Sequence, residues 1–145
     1  MTTRATALRS AAPAFLVRDV GKTLRWYRSV LGFKAYPFPK TPPHVFGFLA
    51  RDGVEIMLQR LEGYEKPRLY EKRDGGVWNA YIRTTGVTPL YRRLRRRRDV
   101  EFLEALCEQP YGDTEFAIAD PNGYVLVFSE LIKTPAKRRS SRRRG

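Results

Sequence analysis

Few side chains in this chain of 145 residues are suited to catalysis or to metal binding. His44 is the only histidine, so one chain cannot assemble an iron site that needs two imidazole ligands. Cys107 is the only cysteine, which excludes an intrachain disulfide and fits a small apolar residue in or near a strand better than a nucleophile. The carboxylates of Glu55 and Glu115 remain as general bases, if the fold buries them beside apolar neighbours.

Two clusters of basic residues account for much of the net charge of +13. Residues 133–145 contain seven Lys or Arg and no acid, a composition that cannot bury apolar surface and predicts a disordered tail. Arg92, Arg93 and Arg95–Arg98 lie on a predicted helix and its exit. A solvated helix face and a flexible tail explain both clusters. Attraction to nucleic acid or another polyanion is the alternative, less favoured because the tail lacks interleaved aromatic residues.

Chain length and composition indicate a single globular domain. The sequence is 42% hydrophobic and 12% aromatic, which is enough for a core. It contains no apolar run long enough to span a bilayer, and Arg18 and Asp19 interrupt the stretch that a secretion signal would need. With Cys107 unable to pair within the chain, these features predict a cytoplasmic protein.

Two parts of the chain repeat each other at a nearly constant offset. Residues 52–58 and 122–128 lie 70 positions apart, and each has an Asp-Gly or Asn-Gly dipeptide followed by alternating apolar residues. Such a dipeptide before an alternating run is a strong hairpin signal. Residues 15–20 and 82–87 form a second related pair, 67 positions apart, and each leads into a helical pattern. The offsets predict a duplicated structural unit.

Each unit is predicted to fold as a strand, a helix and three further strands. The first unit has a strand over 12–18, a helix from Val20 to Leu31 that ends at Gly32, and strands over 33–38, 45–50 and 54–59. After a linker over 61–76, the second has a strand over 77–84, a helix over 87–97, and strands over 100–108, 114–119 and 124–131. The predicted fold is α+β, with module one over 12–60 and module two over 77–131 of a domain spanning 8–132.

With this doubling, the chain resembles the vicinal oxygen chelate superfamily, which contains glyoxalase I, extradiol dioxygenases, fosfomycin resistance enzymes and bleomycin resistance proteins. The resemblance covers residues 12–131. It implies that each βαβββ module curls into a half-barrel and that a cleft holds the ligand. The residues that carry it are Leu16–Val20, Trp26-Tyr27, Leu31–Phe33, Tyr111-Gly112, Glu115-Phe116 and Asp120–Gly123.

Catalytic members of that superfamily hold a divalent metal with side chains from the first and last strands of each module. By register, the four corresponding positions are Ala12, Met57, Asn79 and Val127. None of them is a histidine or a carboxylate, the donors that such a site needs. The resemblance therefore implies a protein with no metal cofactor.

Strand alternation predicts one apolar face and one cleft face for each module. A slip of one residue would turn the apolar set into the cleft. The apolar set, expected beneath the helices, is Phe15, Val17, Val54, Ile56, Leu58, Tyr124, Leu126 and Phe128. The cleft set is Ala12, Ala14, Glu55, Met57, Gln59, Asn79, Tyr81, Arg83, Val125, Val127 and Ser129.

A metal-free cleft of this kind is similar to that of the bleomycin resistance proteins, which sequester an antibiotic without transforming it, in an aromatic pocket across a homodimer. The resemblance implies binding, without catalysis, of a small or medium aromatic ligand. A neutral or anionic ligand is expected, because +6 remains after the seven charges of the tail are removed, and Arg83 points toward the cleft. The expected ligand-binding residues are Phe38, Phe46, Phe48, Glu55, Met57, Gln59, Trp78, Asn79, Tyr81, Arg83, Tyr111 and Val127.

Two further functions stay open. One is an enzyme, either a lyase or dioxygenase with metal ligands at other positions, or a metal-free catalyst with Glu55 or Glu115 as general base. The other is a polyanion-binding adaptor that acts through the Arg92–Arg98 cluster and the basic tail.

Overall fold

The structure is a computed structural model that describes residues 3–131. The first module comprises β1 (Ala14–Val17), α1 (Val20–Leu31), β2 (Lys34–Phe38), β3 (Phe46–Arg51) and β4 (Val54–Arg60). After a 3-10 turn (Tyr70–Lys72), the second comprises β5 (Ala80–Arg83), α2 (Val87–Arg95), β6 (Glu101–Glu108), β7 (Asp113–Ala119) and β8 (Val125–Leu131). The predicted α+β fold of two βαβββ modules is confirmed, while the tail over 133–145 lies outside the described residues.

Each module forms a four-stranded sheet with the same strand order, β1-β4-β3-β2 in the first sheet and β5-β8-β7-β6 in the second. Parallel pairing of β1 with β4 places Ala14 opposite Met57, and parallel pairing of β5 with β8 places Tyr81 opposite Val127. Ala14 and Tyr81 are 67 positions apart, and Met57 and Val127 are 70 positions apart. The repeat in the sequence is therefore also a repeat in strand register.

Helix α1 begins and ends where its sequence predicts. The side chain of Asp19 accepts a hydrogen bond of 3.0 Å from the backbone N–H of Lys22, which caps the first turn. Gly32 ends the helix with a φ of 70°, a left-handed conformation that glycine adopts without strain. The buried stripe consists of Val20, Thr23, Leu24, Tyr27, Val30 and Leu31.

Helix α2 is shorter than predicted and ends at Arg95 instead of Arg97. Leu94 is its last buried residue, so the arginines that follow gain no packing from a further helical turn. Arg97 instead pairs with Asp99, with 2.8 Å between Nε and Oδ1. Neither α1 nor α2, the helices of the described region 3–131, has the length and apolar composition needed to cross a membrane.

Both sheets and both helices contribute to one shared hydrophobic core. Phe15 stacks on Tyr124 across the two modules, with ring centroids 4.1 Å apart. The apolar faces predicted from strand alternation point into this core, as Ile56, Leu58 and Leu126 show by their complete burial. The opposite faces of the two sheets lie away from the shared core and are called the outer faces below.

Hydrogen bonds to buried groups join the two modules. Asp120 lies in the turn before β8, and its Oδ2 accepts a hydrogen bond of 2.6 Å from the hydroxyl of Tyr27 in α1. Its Oδ1 accepts from the backbone N–H groups of Asn122 and Tyr124, at 2.8 and 2.9 Å. Burial raises the pKa of both Tyr27 and Asp120. The Tyr124 hydroxyl donates in turn to the carbonyl oxygen of Leu16 in β1, at 2.7 Å.

Candidate functional site

The outer face of the first sheet is an exposed aromatic surface. Tyr36 is 51% exposed and Phe38 is 67% exposed. The ring of Tyr36 lies 6.0 Å from that of Phe48. Contiguous apolar side chains with this exposure mark a binding surface. Strand pairing arranges the face in two rows, Tyr36, Phe48, Met57 and Ala14 in one, and Phe38, Phe46, Gln59 and Leu16 in the other.

The outer face of the second sheet carries a polar network around two buried carboxylates. Asp113 and Glu115, both in β7, are each 2% exposed. Oδ2 of Asp113 accepts hydrogen bonds of 2.7 Å from the Tyr81 hydroxyl, 2.7 Å from Nη1 of Arg83 and 2.8 Å from Oγ of Ser129. Tyr81 and Arg83 were predicted site residues, whereas Asp113 lies one residue before the predicted strand over 114–119 and was not among them.

Glu115 shares a donor with Asp113. Its Oε2 accepts a hydrogen bond of 2.9 Å from the Tyr111 hydroxyl, and its Oε1 lies 3.0 Å from the Tyr81 hydroxyl. Tyr81 has only one phenolic proton, and its shortest contact is the one to Asp113. When Tyr81 donates to Asp113, Oε1 of Glu115 receives no proton from Tyr81. That oxygen can then accept from a ligand N–H or O–H once Tyr111 moves aside.

The charges of the network follow from burial and hydrogen bonding. Burial, together with the hydrogen bonds to the two carboxylates, raises the pKa of Tyr81 to about 12. The phenol therefore stays neutral at pH 7. Burial alone would raise the pKa of Asp113, but hydrogen bonds from Tyr81 and Ser129 and the charge of Arg83 hold that pKa below its ordinary value. Asp113 is thus anionic at neutral pH.

A cavity of about 450 Å³ brings together four predicted site residues, Glu55, Asn79, Tyr81 and Arg83, where the start of β4 meets β5. Asn79 precedes β5, because this strand begins at Ala80 and not at Val77 as predicted. Its side-chain oxygen accepts a hydrogen bond of 2.8 Å from the backbone N–H of Val125. Asn79 therefore anchors the start of β8 as well as lining the cavity.

Trp78 and Tyr111 lie at the edge of the second outer face. Trp78 is 42% exposed and its ring centroid is 5.0 Å from that of Tyr81. Tyr111 is 48% exposed and covers Glu115 through the hydrogen bond between their side chains. Both positions are accessible to a ligand that approaches the polar network.

The segment between the modules covers part of the second outer face. Tyr70 of the 3-10 turn packs against the cluster formed by Ala117, Val125 and Val127. Val127, a predicted ligand contact, is fully buried in this cluster, against which Tyr81 and Leu103 also pack, and it is not exposed at the outer face. Treating residues 61–76 as a linker missed Tyr70. The usable signal was Gly76, which has a φ of 88° and whose absent Cβ leaves room for the Tyr70 ring.

Replacing Gly76 by alanine is expected to push Tyr70 off this cluster and to destabilise the protein more than Gly53→Ala does. Both glycines have positive φ, 88° and 84°, so both variants carry similar backbone strain. Only at Gly76 does the new methyl overlap a ring, whereas at Gly53 nothing lies within 4 Å. Urea denaturation should show an excess loss of about 2 kcal/mol at Gly76. In a Tyr70→Ala background, Gly76→Ala should cost no more than Gly53→Ala. Equal losses from Gly76→Ala and Gly53→Ala in the wild-type background would contradict the contact with Tyr70.

The four positions expected for metal ligands do not fit a divalent metal. Ala12 and Val127 have no donor atom in their side chains, Met57 offers a soft thioether, and the oxygen of Asn79 is engaged by Val125. Within residues 3–131, no group of three or more His, Cys, Asp or Glu side chains is arranged to hold a metal ion.

Comparison with protein families gives one match that spans most of the chain. A profile of the Glyoxalase/Bleomycin resistance protein/Dioxygenase superfamily matches residues 9–128. A search among curated protein sequences finds no match.

Solved structures share the fold at low sequence identity. A glyoxalase-related enzyme from Clostridium phytofermentans is 17% identical, with a TM-score of 0.67 over 90% of this chain and 100% of that one. TioX from Micromonospora sp. ML1 is 16% identical, with a TM-score of 0.65 over 85% and 100%. The bleomycin-binding protein from Streptomyces verticillus, solved with copper(II)-bleomycin, is 20% identical, with a TM-score of 0.61 over 86% and 97%. At these identities the likeness extends to the fold alone.

Proposed function

Because the chain belongs to the glyoxalase/bleomycin resistance protein/dioxygenase superfamily, we propose that it is a small-molecule binding protein that holds its ligand without a metal ion. One observation carries this proposal: the outer faces present exposed aromatic rings on one sheet and a hydrogen-bonding network on the other, while the expected metal positions lack suitable donors. Flat apolar walls with a few polar groups suit an aromatic ligand. A neighbour of the same fold is a bleomycin-binding protein.

The local charges favour a neutral or cationic ligand, whereas the net charge led to the expectation of a neutral or anionic one. Asp113 and Glu115 lie at the centre of the polar network, and the cationic side chain of Arg83 is already paired with Asp113 at 2.7 Å. An anion at this place would face the carboxylates. A ligand with an N–H or O–H group can instead donate to Glu115.

A homodimer would complete the cleft by covering the aromatic rows of the first sheet with a second copy of the chain. Phe38 and Tyr36 are too exposed to contribute to the core of one chain. By sequestering a toxic aromatic compound, the protein would confer resistance, as antibiotic-binding proteins do. Cys107, which has no second cysteine in the chain, suits the reducing cytoplasm.

Replacing Phe38 by aspartate is expected to convert the homodimer into a monomer, because a charge would be buried at the interface. Light scattering after size-exclusion chromatography measures the mass. Leu8→Asp is the control, since Leu8 is 97% exposed and lies outside the sheets. A wild-type monomer, or dimers in both variants, would refute this arrangement.

Ligand binding itself is tested by a thermal-shift screen with aromatic amines, matched neutral aromatics and aromatic carboxylates, with and without EDTA. A ligand that binds only the folded state raises the melting temperature. At a concentration of 100 times its Kd it adds about 2.7 kcal/mol to the free energy of unfolding. We expect shifts from amines or neutral compounds that EDTA leaves unchanged. Shifts that EDTA abolishes would contradict the metal-free proposal. Chemical conversion of the bound compound, lost in Glu115→Gln, would establish the enzyme alternative.

A further inference from the structure

The excess of positive over negative charge in this protein comes from three segments. The chain has 28 Lys and Arg against 15 Asp and Glu. Residues 20–31 and 87–98 together hold nine of the basic residues and none of the acids, and residues 133–145 hold seven more without an acid. The rest of the chain therefore has 12 basic residues against all 15 acids. The segments that build the two sheets are slightly acidic, and the helical segments are strongly basic.

The fold places the two helical segments next to each other. The indole N–H of Trp26 in α1 donates a hydrogen bond of 2.8 Å to the carbonyl oxygen of Asp99, just beyond α2. At the other end, Leu31 and Phe33 line the same crevice as Leu90 and Arg93. The exposed basic residues of α1, of α2 and of the residues just after α2 are here called the basic helical surface: Lys22, Arg25, Arg28, Arg92, Arg93, Arg95, Arg96 and Arg98.

Little within the described residues neutralises this surface. Asp19 caps the start of α1 through the backbone of Lys22, and Asp99 pairs with Arg97. Of the four ion pairs found within residues 3–131, only that of Arg97 involves the two helical segments. Arg95 lies over the rings of Tyr91 and Phe102. The surface therefore keeps a large uncompensated charge.

The last described strand ends near the start of α2. Oε1 of Glu130, near the end of β8, accepts hydrogen bonds of 3.0 Å from the backbone N–H groups of Gly86 and Val87 at the start of α2. The chain after β8 therefore continues from the neighbourhood of α2. The seven basic residues of 133–145 follow this point in the sequence.

We propose that the basic helical surface binds the phosphate backbone of double-stranded nucleic acid without reading its sequence. Seven of its eight cationic side chains are arginines, whose planar guanidinium groups match phosphate oxygens in two parallel hydrogen bonds. An anionic membrane fits less well, because helices that lie on membranes present Trp, Phe or Leu to the lipid. No large hydrophobic residue of the described α1 or α2 is exposed.

The test compares two variants with the same net charge of +9, each carrying four substitutions to glutamine. The helix variant is Arg25→Gln, Arg28→Gln, Arg92→Gln and Arg96→Gln, all exposed. The control variant is Arg4→Gln, Arg9→Gln, Lys40→Gln and Arg60→Gln, which are also exposed and lie off the surface. Fluorescence anisotropy measures the binding of a labelled DNA duplex between about 50 and 200 mM salt.

Wild type should bind with an affinity that falls steeply with salt. The plot of log K against log salt has a negative slope, and each lost phosphate contact makes this slope shallower by about one. The helix variant should therefore lose up to about four in slope and more than about tenfold in affinity at 100 mM salt. The control variant should stay within about one of wild type in slope. Deleting residues 133–145 should weaken binding further in both.

Three results would overturn this proposal. Equal losses in the helix and control variants would mean that binding follows net charge alone. A tail deletion that abolishes binding, with a helix variant of unchanged slope, would assign binding to the tail. Salt-dependent binding to phosphatidylserine vesicles, with none to the duplex, would assign the surface to membranes. None of these results bears on small-molecule binding at the outer faces.

Discussion

Replacing Asp120 by alanine is expected to destabilise the protein by about 4 kcal/mol, because three donors that join or close the modules lose their acceptor. The hydroxyl of Tyr27 is completely buried, so solvent water cannot replace Asp120 as its hydrogen-bond acceptor. The backbone N–H groups of Asn122 and Tyr124 lose their bonds to Oδ1 in the same change. Urea denaturation of wild type and variant gives the difference directly.

Asp120→Asn and Tyr27→Phe serve as controls. Asparagine keeps an accepting oxygen and should lose about 1 kcal/mol, and phenylalanine removes only one donor and should lose about 1 to 2 kcal/mol. Burial raises the pKa of Asp120 in the folded state, so its favourable contribution is complete at low pH and is lost as the pH rises through that pKa. The stability of wild type relative to Asp120→Asn should therefore fall as the pH rises above about 4. An alanine variant within about 1 kcal/mol of wild type would show that the modules do not depend on this contact.

Asp113→Asn is expected to destabilise the protein by about 2 kcal/mol at pH 7. Asparagine keeps an accepting oxygen, so most of the loss comes from the weaker hydrogen bonds that Tyr81 and Ser129 make to a neutral amide. The ion pair adds little, since Arg83 is 62% exposed and solvent screens it. The folded-state pKa of Asp113 lies below its ordinary value, so its contribution is present above that ordinary value and is lost as the pH falls through the folded pKa. The difference between wild type and variant should shrink below about pH 4, opposite to the trend at Asp120.

Glu101→Gln is the control for removing one negative charge. Glu101 forms an exposed ion pair with Arg68 at 3.4 Å, and such pairs contribute little. We expect a change in stability of less than about 0.5 kcal/mol. If Asp113→Asn behaves like Glu101→Gln, the network on the second sheet is a solvated surface and not a preformed site.

Local patterns in the sequence predict the fold well. Alternation in Val54, Ile56 and Leu58 identifies the face that packs in the core, and the sheet pairing keeps the offsets of the internal repeat. Asp19 and Gly32 mark the two ends of α1 through the backbone groups that they satisfy. These features depend on neighbours in the chain or on one repeated unit, so periodicity and turn chemistry are sufficient to find them.

The site depends on contacts that periodicity does not encode. Tyr70 reaches Val127 only because the connecting segment folds back over the second sheet. Asp113 follows a glycine turn and reads as a polar turn residue, yet β7 begins there and buries it. The net charge averages a basic helical surface with a slightly acidic remainder, so it does not describe the local charge around Asp113 and Glu115.

The cover over the second sheet has an evolutionary consequence. Tyr70 belongs to the connection between the repeats, and a tandem duplication produces that connection once. Only one of the two sheets could therefore be covered by this connection. Tyr70 covers part of the second sheet, and the aromatic rings of the first sheet remain exposed. The outer faces of the two modules could therefore change independently. The first could acquire aromatic side chains and the second a hydrogen-bonding network, while the shared core stayed the same.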